Sequence, residues 1–144
     1  MAKICRRILI GIVILGIIIG AAAKLFAKGE YTNTEARKNT ECTIEQRVFD
    51  EADKLTDEAE KNLEALIAEK EQVIVGDIIF LTLNDTRLND YDKIRDYAQS
   101  YYEDNKFGWD KPNGNGFIYV DDWATGYSWM CTTGDVKERL DDAD

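Results

Sequence analysis

"GDIIFLTLND", residues Gly76 to Asp85, is the stretch that decides the fold. Its body is a continuous β-branched and aromatic run with no polar alternation. A strand with one wet face alternates, whereas a strand covered on both faces does not. The run therefore predicts a doubly buried strand with helices above and below it. Both neighbours fit. Upstream, "LTDEAEKNLEALIAEKE" (Leu55–Glu71) carries Ala59, Leu63, Leu66 and Ile67 on one stripe of a helix. Thr56 is the expected N-cap, and Asp57 and Glu58 suit the first turn. Downstream, "DYDKIRDYAQSYYEDN" (Asp90–Asn105) places Ile94, Tyr97, Ala98, Tyr101 and Tyr102 on one helical face.

Outward from these, "QRVFD" (Gln46–Asp50) reads as a short first strand. "FGWDKPNGNG" (Phe107–Gly116) is loop chemistry, with the chain's single proline. "FIYVDD" (Phe117–Asp122) and "YSWMCTT" (Tyr127–Thr133) read as strands joined by the turn "WATG". Gly134 closes the second, and "DVKERLDDAD" begins a helix. The order strand, helix, strand, helix, strand, strand, helix predicts an α/β fold: a three-layer αβα sandwich around a small mixed sheet. At least one parallel pair is expected to cross over right-handed.

The amino terminus has a different character. Residues 1–28 hold five basic side chains and no acid, and Ile8 to Ala23 is an uncharged run of 16 residues. With Arg6 and Arg7 on the cytoplasmic side, the segment predicts an N-terminal transmembrane helix with the body outside the cytoplasm. Ala21-Ala22-Ala23 also fits a signal-peptidase pattern, in which case the body is secreted. Residues 29–45 read as a polar tether, and residues 46–144 as the extracytoplasmic domain.

Residues 29–144 carry 13 basic and 28 acidic side chains. Such a body repels phosphate backbones, which argues against nucleic acid, and attracts cations. There is no histidine, which excludes Ser-His-Asp and Cys-His catalysis and His-ligated zinc. Cys5, Cys42 and Cys131 contain no C-x-x-C pair. Whether Cys42 and Cys131 pair stays open at this level.

"RVFDEADKLTDEAEKNLEALI", "GDIIFLTLND", "DYAQSYYEDNKFG" and "NGFIYVDDWATGYSWMCTTG", in that order, resemble the TPM domain family from about Arg47 to about Asp142. The resemblance rests on the ordered combination: Val48-x-Asp50 before a helix, Phe107–Gly108 after the second helix, Asn115–Gly116 opening a strand, and Thr132-Thr133-Gly134 closing the hairpin. It implies an αβα domain in membrane-anchored extracytoplasmic proteins. Roles implied by the family include photosystem repair, receptor modulation and acid phosphatase activity, with calcium binding in some members. Two departures stand out. An Asp-Arg pair frequent in the family's last hairpin is replaced by Thr125 and Gly126. The resemblance also implies further helical sequence after the hairpin, most of which is expected to be lacking in residues up to Asp144.

Three expectations about sites follow. Strand-end acids Asp50, Asp121 and Asp122 would converge on one edge if their strands are parallel, and clustered carboxylates suit Ca²⁺. The bland alternative is that each ends a strand or caps a turn, the reading favoured for Asp53 and Asp85. Trp109 and Trp123, both in loops, are candidates for a shared partner-binding patch; the alternative is that they cover the core. A metal-dependent acid phosphatase is the runner-up to a binding and interaction role at the membrane surface. Only Asp50 stands where a nucleophile is expected, and no D-x-D follows it.

Overall fold

A computed structural model describes residues 35–141. The membrane segment expected in residues 1–28 and the start of the tether lie outside the described residues. Among those described, no helix is long and apolar enough to cross a membrane.

The elements follow the expected order: β1 (Val48–Asp50), α1 (Asp57–Ile74), β2 (Asp77–Leu83), α2 (Tyr91–Asp104), β3 (Gly116–Asp122), β4 (Ser128–Thr133) and α3 (Asp135–Asp141). They form a four-stranded mixed sheet in the order β1-β2-β3-β4. β1, β2 and β3 are mutually parallel, and β4 returns antiparallel to β3. All seven residues of β2 are buried. The unbroken apolar run thus reflects a central strand with a layer on each face.

Alternation along the strands sorts the core into two halves. Val48, Ile78, Phe80, Phe117 and Tyr119 meet Leu63, Ile67 and Ile74 of α1 and Val136 of α3. Ile79, Leu81, Ile118 and Val120 meet Ile94, Ala98 and Tyr102 of α2, with Phe107 from the following loop. Each fully buried aliphatic side chain here contributes roughly 1.5–3 kcal/mol.

The helix starts match the sequence. The Thr56 side chain accepts from Ala59 N, and that of Asp90 accepts from Lys93 N. The end of α1 differs. The stripe predicts a stop near Glu71, but the helix runs to Ile74 and is capped by Val75 in the left-handed region. Glu71 continues the buried face four residues after Ile67, because its charge is matched inside the protein by Arg47, whose Nε lies 2.7 Å away.

The described part of the expected tether is docked rather than free. Lys38 N and Asn39 N donate to Trp109 O at 2.9 and 3.1 Å. The Asn39 amide donates to Lys106 O and Gly108 O at 2.7 and 2.8 Å. Cys42 is buried in the α2-side core. This strap supplies donors to carbonyls past the end of α2, a long-range pairing that local composition does not signal.

Candidate functional site

Because β1, β2 and β3 run parallel, their carboxyl ends share one edge, the usual location for ligands in open α/β sheets. Asp50, Thr82 and Asp121 stand in one register row across it. Asp122 is paired with Leu83, one residue further along. Successive strand residues face opposite sides. Asp50 and Asp121 therefore face the α1 layer, and Asp122 faces the α2 layer. The structure brings the three acids to one edge but does not bring them onto one face.

What surrounds each carboxylate explains the placement. Asp50 Oδ2 accepts from Lys54 N at 2.7 Å and Leu55 N at 2.6 Å, and Oδ1 accepts from the Thr82 hydroxyl. It organises the turn into α1, where Asp53 sits at φ 52°. Asp122 is fully buried. Its Oδ1 accepts from Asp85 N at 2.8 Å, and its Oδ2 accepts from Thr125 N at 3.2 Å and from the Thr125 hydroxyl. One carboxylate thus ties the β2–α2 loop to the β3–β4 turn. A buried carboxylate needs such donors to remain charged. Asp85 itself is a turn residue: Arg87 beside it holds its carboxyl down to about 2. Among the described residues, no group of three or more His, Cys, Asp or Glu side chains is placed to hold a metal ion.

The two tryptophans also separate. Trp109 follows α2 at the opposite edge, where its N–H donates to Asn115 O just before β3. It is 3% exposed. Trp123 follows the end of β3, donates its backbone N–H to Leu83 O at 2.8 Å, and carries Lys54 Nζ 5.7 Å from its ring centroid. β3 has seven residues, so the backbone positions of the two tryptophans lie at opposite ends of it, roughly 20 Å apart. The expected shared patch is not formed, because Trp109 closes the core beneath the strap. The one exposed large hydrophobic among the described residues is Tyr91, with Tyr127 and Trp129 centroids at 4.8 and 6.4 Å.

At the amino-terminal edge lies a polar cluster that the sequence reading misses. Glu71 Oε1 accepts from Arg47 Nε at 2.7 Å and from Ile78 N at 2.8 Å. Asp77, with no exposure, accepts through Oδ2 from Arg37 Nη2 at 2.7 Å and Gly108 N at 2.8 Å. Arg47 Nη2 lies 3.7 Å from Asp77 Oδ1, and its guanidinium sits over the Phe107 ring. Burial pushes Glu71 up to about 7 despite the pull of Arg47. Nearby, Gly116 permits β3 to start against α2: a Cβ there would lie 2.3 Å from Tyr102 Oη. The signal available in the sequence was Glu71 itself, an acid on the apolar stripe of α1.

Cys42 and Cys131 are both free thiols. Comparison with curated proteins and with solved structures finds no match. A model of the TPM domain matches residues 48–144, from β1 through α3 and beyond. That span holds the entire sheet and both of its edges, and the chain belongs to the TPM domain family.

Proposed function

We propose that the chain is a membrane-anchored extracytoplasmic interaction module and not a hydrolase. The observation that carries this is the engagement of the strand-end carboxylates. Asp50 and Asp122 each take several donors from their own flanking loops. A nucleophile or a metal ligand needs an accessible oxygen, and these oxygens are spent on loop geometry. Anchoring is supported by the basic start and the 16-residue apolar run of the sequence. The exposed Tyr91 beside Tyr127 and Trp129 supplies an aromatic surface of the kind that partners use.

Calcium tuning at Asp50, Asp121 and Asp122 has weak support, since a calcium ion takes six to eight oxygens and the three acids divide between two faces. The test is one titration of the full chain with Ca²⁺, with Mg²⁺ as control, following thermal unfolding and phosphate release from a model ester. The interaction reading predicts no turnover with either ion. Saturable, calcium-dependent release of phosphate would overturn it and restore the phosphatase reading.

A further inference from the structure

The strap of residues 37–42 and the buried cluster at the amino-terminal edge share one residue, Arg37. We infer that the strap is an acid-released latch, closed while Glu71 is charged and loosened when Glu71 takes up a proton.

The cluster confines a balanced set of charges. Arg37, Arg47, Glu71 and Asp77 are two cations against two anions. Among the described residues, the groups packed around them from other elements add no third cation. Glu64 of α1 turns its Oε1 to Arg47 N and Val48 N at 2.8 and 2.7 Å. Tyr102 of α2 has its hydroxyl pushed upward by burial, so it stays neutral, and it donates to Gly114 O. Gly108 N and Ile78 N are backbone donors to the two acids.

Neutralising Glu71 leaves two guanidinium groups with one carboxylate. They are not equal competitors. The Arg47 side chain is 7% exposed and is held by Glu71, by the Ile44 and Gln46 carbonyls and by the Phe107 ring. The Arg37 side chain is 22% exposed and reaches solvent by leaving. Asp77 Oδ1, which takes no hydrogen bond, already lies 3.7 Å from Arg47 Nη2. A small movement of Arg47 toward it weakens the hold on Arg37. The strap then keeps its bonds to Trp109 O, Lys106 O and Gly108 O, the Glu41–Lys106 ion pair and the burial of Cys42, but loses its link to the charged cluster.

The direction follows from linkage. Burial pushes Glu71 up to about 7 in the closed form and Arg47 pulls it back down; moving Arg47 to Asp77 removes that pull, so Glu71 holds its proton more tightly in the open form. Opening therefore grows as pH falls toward 7 and levels off below it. If the membrane-anchor reading holds, release lengthens the connection between membrane and domain. Residues 35–45 span at most about 36–40 Å when extended. The latch itself does not depend on that reading.

The test is hydrogen–deuterium exchange of the full chain in mild detergent micelles at pH 8.5 and pH 6, normalised to unstructured-peptide rates. Protection of peptides covering residues 37–42 is expected to fall about tenfold at the lower pH, one decade per unit of difference in proton affinity between the two forms. Peptides from β2 should hold their protection. Glu71→Gln should leave the strap weakly protected at both pH values. Arg37→Gln, at the rim of the cluster and leaving Arg47–Glu71 intact, should do the same if Glu71→Gln does not fold. Equal strap protection at both pH values in the unmodified chain would overturn the latch, as would full protection in Arg37→Gln.

Discussion

Asp50 and Asp122 end parallel strands at the same edge of one sheet and face opposite helical layers. The register places Asp50 in the row of Thr82 and Asp121, and Asp122 one step beyond it. Each carboxylate is a hub for its own loops, so the edge is built from two separate anchor points.

Asp122→Ala should be among the more damaging single changes at this edge. It removes the acceptor for Asp85 N, Thr125 N and the Thr125 hydroxyl in a fully buried site. Orphaned buried donors cost about 1–3 kcal/mol each, and loop relaxation to water should hold the total to about 2–3 kcal/mol. Denaturant unfolding would measure it. A loss under about 0.5 kcal/mol would show that the two loops are held by other contacts.

The two tryptophans should behave differently. Trp109→Ala empties a buried site under the strap and should destabilise by about 3–5 kcal/mol. Trp123→Ala gives up a half-buried ring and its contact with Lys54, and should cost only about 1 kcal/mol. Thermal unfolding of the two variants side by side distinguishes this from a shared surface patch, where both would be tolerated.

Asn39→Ala leaves Lys106 O and Gly108 O without their side-chain donor. The expected cost is about 1–3 kcal/mol, concentrated in the strap. Amide exchange should rise at Lys38 and Asn39 and stay unchanged in β2. A uniform rise across the domain would instead make the strap part of the cooperative core.

Glu71 gives the domain a pH dependence of defined sign. Its carboxyl lies at about 7 in the folded chain against an ordinary 4.5. The folded state then binds the proton more tightly than the unfolded state between those values. Its contribution is full below about 4.5 and is lost as pH rises through about 7. Relative to Glu71→Gln, which cannot titrate, the unmodified chain should lose up to about 3 kcal/mol of stability between pH 4.5 and pH 8. Parallel stability curves for the two proteins would show that Arg47 keeps Glu71 ionised throughout.

The local features were legible because they are written in short-range chemistry. The caps Thr56 and Asp90 and the doubly covered β2 follow from hydrogen-bonding side chains and periodicity within a few residues. The strand-end position of Asp50, Asp121 and Asp122 followed in the same way. Their division between faces did not, because it depends on register, where a one-residue offset reverses the side.

The order of elements, the α/β layering and membership of the TPM domain family all follow from local sequence pattern. Apolar spacing decides which faces must be buried, and a short uninterrupted run rich in β-branched and aromatic residues favours a central strand. The tertiary structure alone decided which polar groups meet. Arg37 reaches Asp77 across 40 residues, Asn39 reaches Gly108 across 69, and Asp122 reaches Asp85 across 37. Such partners are chosen by what burial leaves unsatisfied, and that need exists only once the layers have closed.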